Sequence, residues 1–518
     1  VRAPSLLAGS PTGAAVSGVA SRLRWRRDAV VTPGESITVS VGANRLRLPP
    51  VSTGITEAVA ALQRGADETE LQDIVTAQGA GLAEWAAVLT KLRRVNLLDV
   101  SVHSDGRILA TLQPRAVVAP ARLPSSPDAP VILDRFAHLR SRDGSAVLEG
   151  AGARGAVVVH DPRVGALLVE LASGSTIAAL SRGPAGLDRL ETTAIVRLIG
   201  QAGLLAAMDD PAGATPDAGQ PDPTGGVTVD RWSFADRLFH AQSRKSPEVT
   251  EYGATGSRPG RRPSLPAVKA VTGETVALAR PDAGAVARTD LTLDDAMRRR
   301  RSVRDYDEDR PITAAQLGEV LFRSQRVLRV GADHGHGEVM WRPYPTGGGL
   351  QELEIYPVVD RCDGLPAGLY RYDGLGHRLE IVGPVGPASE RLLDGASSAS
   401  GRSSPPQVLL VVTARWGRVM GKYESMAYAL VLKDLGVLYQ TLYLVATSMG
   451  LAPCALGGGE AGILEPAAGL DPAEEAVVGE FMLGGRPADR LPALPQKRPF
   501  VVPFFEKPHS RSFLFNAE

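Results

Sequence analysis

The sequence predicts an α+β protein whose C-terminal half mixes helices with a mostly antiparallel sheet, behind two smaller helix-rich repeats. Three observations carry that expectation. From Leu291 onward, helical and strand-like patterns alternate. Two earlier stretches repeat one pattern of three helices and an exit strand. Residues 209–226, rich in Gly, Pro, Asp and Thr, read as the linker that separates the halves.

Composition sets the outer bounds. The 518 residues carry 57 basic and 57 acidic side chains, so the formal charge is zero. That balance argues against a nucleic acid or a membrane surface held mainly by charge. With 44% hydrophobic and 22% charged residues the chain is globular and long enough for several domains. Only seven of the basic residues are lysines, a bias expected of a GC-rich genome, and Lys422 is one of them. Two cysteines, Cys362 and Cys454, exclude a disulfide framework and a cysteine-built zinc site, and a reducing cytoplasm is the natural compartment. The N-terminus has no basic segment followed by an apolar core, so no signal peptide is expected. The apolar stretch Met426–Met449 has Lys433 and Asp434 at its centre, which favours a buried core helix over a membrane span.

Residues 1–30 read as a flexible lead-in. In the first repeat, Ile37–Val41 and Arg45–Leu48 are strand-like, and Ile55, Val59 and Leu62 mark a helix ending near Gly65. Leu71, Ile74 and Val75 mark a second helix, and Trp85, Val88, Leu89 and Leu92 a third, closing on Val95–Leu98. In the second repeat, Val157–Val159 precedes helices marked by Val164 and Leu168, by Ile177 and Leu180, and by Ile195 and Ile199, closing on Gly203–Leu205. This order is the grammar of a winged helix-turn-helix, in tandem. The third helix of the first copy carries Lys91, Arg93 and Arg94, that of the second only Arg197, so peptide docking at an edge strand is preferred over DNA binding. The domains expected are 31–125 and 126–208, a linker at 209–228 and a C-terminal domain at 229–518.

In the C-terminal domain, Leu291–Arg300 and Thr313–Ser324 read as helices and Leu353–Val359 as a strand. Gly368–Asp373 and Arg378–Val382 read as a hairpin, Val408–Thr413 and Val477–Leu483 as strands, and Glu424–Gly450 as a long helix apolar on nearly all faces, suited to a dimer interface. Five segments bear chemistry. Arg299 to Arg304 leaves a helix with guanidiniums and the Ser302 hydroxyl, a set suited to phosphate. Pro345-Thr346-Gly347-Gly348 lets backbone approach a flat ligand. Lys422-Tyr423 precedes the apolar helix and suits an acid/base pair, since burial lowers the pKa of a lysine. Leu456-Gly457-Gly458 lies in a Gly-rich turn, where Gly457, Gly459 and Gly462 spell GxGxxG; a dinucleotide fold is rejected because a helix precedes the motif and Pro466 blocks a helix after it. Gly484-Gly485-Arg486 follows a strand and could close on a phosphate. His334 and His336 have no third ligand nearby, and no metal is expected.

Taken in order, these segments resemble the nitroreductase-like flavoproteins. More narrowly they are similar to the SagB-type azoline dehydrogenases, which form thiazoles and oxazoles in ribosomally made peptides. Lys422-Tyr423, the Phe239–Arg244 entry segment with the irregular run to Lys269, and Gly368–Tyr372 carry the narrower likeness, over about residues 230–490. Thr346 stands where that family often has Ser.

The resemblance implies FMN at a homodimer interface. Arg300, Arg301 and Ser302 would meet the phosphate and ribityl chain, with Arg486 completing the clamp. Arg304 would sit near the N1/O2 edge, Pro345 to Gly348 would line the ring, and Leu456 to Gly458 would approach its other edge. Lys422 or Tyr423 would take the Cα proton as an azoline becomes an azole. A precursor peptide and a cyclodehydratase complex are the implied partners. An NAD(P)H-dependent nitro-, quinone or dehydroamino-acid reductase, or a flavin-free docking scaffold, are the alternatives.

Overall fold

The computed structural model describes residues 18–32, 36–41, 44–116, 129–207, 231–245, 252–254, 265–333, 337–402, 404–460 and 462–487. Residues 1–17, the linker expected at 209–228, His334 and His336, and most of the connector at 253–266 lie outside the described residues. The chain divides into two compact units, Val1–Gly253 and Ala254–Glu518.

In the first unit, β1 (Val19–Trp25) precedes a three-stranded sheet of β2 (Ala29–Thr32), β3 (Thr38–Val41) and β4 (Asn44–Arg47). Helices α1 (Thr53–Ala61), α2 (Glu68–Ala77) and α3 (Leu82–Arg94) follow, then the hairpin β5 (Leu98–Ser104) and β6 (Arg107–Pro114). Beyond β7 (Val131–Leu133) come β8 (Ala137–Arg142), β9 (Ser145–Gly150) and β10 (Gly155–Val159). A second helix trio, α4 (Pro162–Ala172), α5 (Ile177–Leu180) and α6 (Arg189–Gln201), closes on β11 (Leu205–Ala207), which pairs with β7. Local signals explain the helix starts. Asp67 Oδ1 accepts the Glu70 N–H at 2.8 Å. Pro162 opens α4 behind the Asp161 cap, and Asp188 with Glu191 forms a capping box on α6.

Two expectations need correction here. The lead-in expected over 1–30 is too long, because Val19–Trp25 is a strand paired antiparallel with β5. The two repeats are also not separate bodies. β6 pairs antiparallel with β10, which joins both copies in one six-stranded sheet, β1-β5-β6-β10-β9-β8. Each trio keeps its own core, Leu71, Trp85 and Leu92 in the first and Leu167, Ile195 and Ile199 in the second. The helix α7 (Phe234–Gln242), expected to open the C-terminal domain, falls in the first unit. Arg135 donates to the Trp232 carbonyl at 2.7 Å, and the rings of Phe234 and His138 meet edge-on at 5.9 Å.

The boundary between the units falls within the two-residue β12 (Gly253–Ala254). The elements of the second unit are β13 (Thr275–Ala277), α8 (Ala283–Thr289), α9 (Leu293–Arg299), α10 (Ala314–Gln325), the hairpin β14 (Arg329–Asp333) and β15 (Gly337–Trp341), and β16 (Leu353–Val359). Then come β17 (Gly368–Asp373), β18 (Arg378–Pro384), α11 (Pro387–Ser400), β19 (Val408–Arg415), α12 (Trp416–Val419) and β20 (Tyr423–Glu424). Last are α13 (Ala427–Ser448), β21 (Leu451–Ala455), α14 (Leu464–Ala467) and β22 (Glu475–Gly485). Seven strands form one antiparallel sheet, β13-β18-β17-β16-β19-β22-β21. β16 and β19 are buried along their whole length, as central strands between two layers are.

Helix α13 is long and apolar enough to cross a membrane by length and composition, yet Val431, Leu438 and Leu442 are fully buried in the core of this unit. It starts later than expected, at Ala427. Ser425, at φ 62°, lies in the left-handed region, so Glu424 stays outside the helix; Tyr423–Glu424 form the short strand β20, and Lys422 sits in the turn before it. Nor is α13 covered on all sides, since Tyr428, Leu432 and Val437 are exposed.

Candidate functional site

Thr292 caps α9, its hydroxyl accepting the Asp295 N–H at 3.2 Å, and Asp294 and Asp295 fill the first turn. The helix stops at Arg299 because Arg300 turns to ψ 125°. Beyond it the chain runs beside β21, where the Val303 N–H donates to the Pro453 carbonyl at 2.9 Å. Tyr443 of α13 fastens this segment. Its hydroxyl shares a hydrogen bond with Ser302 Oγ at 2.7 Å and accepts the Ala455 N–H at 2.8 Å. The Arg300 guanidinium stacks 5.2 Å from its ring centroid. Arg301 donates to the carbonyls of Arg298 and Arg300, and Arg304 is exposed on the same extended run.

Arg486 follows directly on β22. Its Nε is buried with no partner among the described residues. Burial lowers its pKa, and the neighbouring charge of Arg301 lowers it further. Two guanidiniums brought together, with no ion pair to a carboxylate at either among the described residues, suit a doubly charged phosphate, so the residues fit the phosphate end of FMN.

A second cluster forms around the Gly-rich turn Gly347–Gly349. Thr346 Oγ1 accepts the Gln351 N–H at 3.0 Å, and the Gly347 N–H donates to Asp434 Oδ2 of α13 at 2.9 Å. Gly348 sits at φ 65°, and a Cβ there would stand 2.7 Å from the Tyr423 hydroxyl and 3.2 Å from Lys422 Nζ. The backbone of this turn therefore lies directly against the Lys-Tyr pair, two motifs separated by more than seventy residues in sequence. Lys422 is half-buried, with Nζ 5.9 Å from the Tyr423 ring centroid. Pro345 is exposed at the head of the turn.

The third expected segment also lies against the sheet. The Leu456 N–H donates to the Glu480 carbonyl at 3.0 Å. Among the described residues, chain neighbours apart, no atom comes within 4 Å of the position a Cβ would take at Gly457 or Gly458, so their backbone is open to a flat partner. The GxGxxG run does follow a strand, β21, contrary to the expectation of a preceding helix. The rejection of a dinucleotide fold still holds, because only the single turn α14, containing Pro466, comes after.

The sequence analysis missed the acids behind these turns. Glu352, fully buried, lies against Asp434; burial and the Asp434 charge push its carboxyl up to about 8. Burial raises Asp434 as well. Lys433 and Asp434 are thus not a charge pair in the helix centre, for Lys433 faces out and Asp434 turns in. Glu480, 2% exposed, presses on Gly459, and one of its oxygens has no partner among the described residues. Burial pushes its carboxyl up to about 7. Arg418, fully buried, donates to the carbonyls of Leu350, Leu265 and Glu338 and so anchors the far side of the Gly turn. The available signal for Glu480 was a lone charge inside an apolar run, Val478-Gly-Glu-Phe, whereas Glu352, between Gln351 and Leu353, carries no such signal. Asp434 and Tyr443 sit nine residues apart on one helix, which separates the two clusters by about 13 Å along its axis. Among the described residues no group of His, Cys, Asp and Glu could hold a metal ion.

Residues 297–485 match the nitroreductase family model, and residues 131–248 match the model of the cyanobactin oxidase ThcOx. The "Putative nitroreductase MJ1384" of Methanocaldococcus jannaschii is 26% identical over 36% of this chain and 85% of its own length. The trifolitoxin-processing protein TfxB of Rhizobium leguminosarum bv. trifolii is 31% identical over 28% of this chain and 40% of its own. The microcin B17-processing protein McbC of Escherichia coli is 32% identical over 21% of this chain and 42% of its own. The match thus spans less than half the length of the two processing proteins. Among solved structures, the E. coli microcin synthetase McbBCD complex with truncated pro-MccB17 bound shows 19% identity, a TM-score of 0.32, and coverage of 48% of this chain and 91% of that one. The chain carries a nitroreductase-family oxidoreductase domain, preceded by a segment of the cyanobactin-oxidase type.

Proposed function

We propose that this chain, an oxidoreductase domain behind a ThcOx-type segment, oxidises azolines to azoles in a ribosomally made peptide with FMN as its cofactor. The observation that carries the reading is the meeting of Gly348 with Tyr423 and Lys422, which sets two ionisable side chains against a turn suited to a flavin ring. The names of the trifolitoxin- and microcin-processing relatives support a peptide substrate.

Arg300, Arg301, Ser302 and Arg486 would hold the phosphate, Arg304 the N1/O2 edge, Thr346 to Gly348 one side of the ring, and Leu456 to Gly458 the other edge. Bound FMN supplies a hydride acceptor that dioxygen can regenerate. The azoline loses one proton and one hydride equivalent in becoming aromatic. Lys422 or Tyr423 takes the proton from the ring Cα, and the other member of the pair holds it in line.

The exposed apolar side of α13, with Tyr428, Leu432 and Val437, supports a homodimer. Two helix trios, the first followed by the β5-β6 hairpin and the second by β11, which pairs back with β7, support reading the first unit as fused winged helices that hold the peptide. An azoline must be made by a cyclising dehydration, so a cyclodehydratase precedes this step. The match over 85% of the length of MJ1384 favours, as second reading, an NAD(P)H-dependent reductase on the same site.

The test is the absorbance spectrum of the purified chain, then azoline oxidation by Lys422→Ala and Tyr423→Phe. A yellow protein whose Lys422→Ala form loses 10²- to 10⁴-fold in turnover, the range for a missing acid/base group, supports the reading. Unchanged turnover in both variants removes the pair from the mechanism.

A further inference from the structure

The six-stranded sheet of the first unit has one face on the core of the second helix trio, through Val102, Leu112, Leu148 and Val157. Its other face carries a polar groove that the chemistry above does not use. Cross-strand partners on that face line up in register as Arg22, Ser101, Thr111, Val158, Val147 and Arg140. The neighbouring row begins with Arg24 opposite Asp99. Of these, Arg24, Asp99, Ser101, Thr111, Val147 and Val158 line a cleft of about 440 Å³ that also takes in Gln113, Arg142 and His160. Val147, Ala156 and Val158 make a small apolar floor.

The polar groups of this cleft fall into two kinds. Asp99 is 91% buried, and its Oδ1 has no partner among the described residues. Burial pushes its carboxyl up to about 7, against the pull of Arg26 and Arg24. A buried, unsatisfied carboxyl calls for a hydrogen-bond donor. At the two ends of the cleft stand cations. Arg24 makes no hydrogen bond or ion pair among the described residues, whereas Arg26 is held by Asp28 through two bonds of 2.9 Å. Arg142 donates to Gln113 at 2.7 Å and lies 3.8 Å from Glu149, which leaves part of its fork open. These guanidiniums call for acceptors. A simple anion answers only the second need. A peptide answers both, since its backbone N–H donates while acidic side chains accept. The path from the first strand to the sixth spans five interstrand spacings, about 24 Å. An extended chain covers that with about seven residues.

We infer that this face binds an extended acidic segment of the peptide substrate, laid across the strands, with acidic side chains at Arg24 and Arg142, apolar ones over Val147 and Val158, and a backbone N–H on Asp99. The site is the sheet face, not the edge strand that the repeat pattern alone suggests. The identity of the segment's owner rests on the peptide-oxidation reading.

The experiment is fluorescence anisotropy with the full chain and a labelled Asp-Glu-Leu-Val-Leu-Glu-Asp peptide. Its counterpart with lysine at every acidic position and sodium phosphate as competitor are run beside it. Arg24→Glu, Arg142→Gln and the double variant are compared, with thermal unfolding as the check on folding. Saturable binding of the acidic peptide, at least tenfold weaker in the double variant at unchanged unfolding temperature, supports the inference. If folding suffers in the double variant, Arg24→Glu alone, at an exposed position, must still weaken binding several-fold. Equal binding of the lysine peptide, undiminished binding by the variants, or complete displacement by phosphate at matched charge overturns it. Binding is read without turnover. Loss of the groove would leave azoline oxidation standing, and failure of azoline oxidation would leave the groove standing.

Discussion

Glu149 in the first unit and Glu480 in the second are equally buried, each 2% exposed, and the fold treats them in opposite ways. Glu149 receives Arg115 and Arg140, both at 2.6 Å. Burial alone would raise its pKa, but the Arg115 charge and hydrogen bond, with those of Arg140, carry the carboxyl below its ordinary range. Glu480 has no guanidinium on it, one oxygen lacks a partner among the described residues, and burial leaves its carboxyl near 7. The first is a satisfied structural charge on a sheet. The second stands behind the Gly turn at 457–459, as Glu352 stands behind the turn at 347–349. Buried polar groups left unsatisfied by the chain mark where it is built to hold something else.

The comparison can be broken at four points. The largest effect is expected from Glu149→Ala, which strands the buried Arg115 guanidinium in the sheet. The first unit should lose about 3 kcal/mol in urea unfolding. A loss below about 1 kcal/mol would show that the pair is not structural.

Glu480→Gln tests the opposite member. The native carboxyl holds its proton to about pH 7, whereas the unfolded one releases it near 4.5. Between those values the native state binds more protons, so stability falls as pH rises through the window and levels off above it. The full difference is on the order of 3 kcal/mol. Glutamine should flatten that slope and match wild type near pH 4. A slope that survives in the variant assigns it to other groups, with Glu352 and Asp434 next to be replaced.

Gly348→Ala places a methyl against Tyr423 and Lys422 at a left-handed φ. It should cost about 1–3 kcal/mol in stability and lower kcat by more than it raises KM. An intact kcat would mean that the turn and the pair do not work together.

The smallest effect is expected at Arg486→Ala. The loss of one of several phosphate contacts should weaken FMN retention about tenfold, near 1.4 kcal/mol, by flavin fluorescence on dilution. Lysine at this position should restore part of it, and unchanged retention would take Arg486 out of the phosphate site.

Much of the second unit was legible because its strands are short, apolar and bounded by Gly or Pro. Leu353–Val359 matches the structure residue for residue, and Val408–Thr413 needs only two more residues. The helix exit at Arg300, Arg301 and Ser302 was legible through its density of charge, which is rare at such a position. The Lys422-Tyr423 pair was seen, but its distance from Gly348 was not, because contact across the fold leaves no local pattern. The helix start was misplaced because Ser425 breaks the chain through a backbone angle that serine seldom adopts. Asp105-Gly106 and Asp143-Gly144, both with positive φ, are two-residue hairpin turns that sequence alone could have marked. Marking them would have placed β5, β6, β8 and β9, though not the β6–β10 pairing that fuses the repeats. That pairing depends on register between apolar strands, which many partners satisfy equally well.

The central claim is that Lys422 or Tyr423, set against Gly348, takes the proton while the azoline gives up its hydride equivalent to bound FMN. The most direct test is the mass of a thiazoline-bearing peptide after incubation with the FMN-loaded chain in air, without nicotinamide. The account predicts the loss of two hydrogens per ring, abolished in Lys422→Ala or Tyr423→Phe. An unchanged peptide mass, together with rapid NAD(P)H oxidation in the presence of a nitroaromatic, would contradict it.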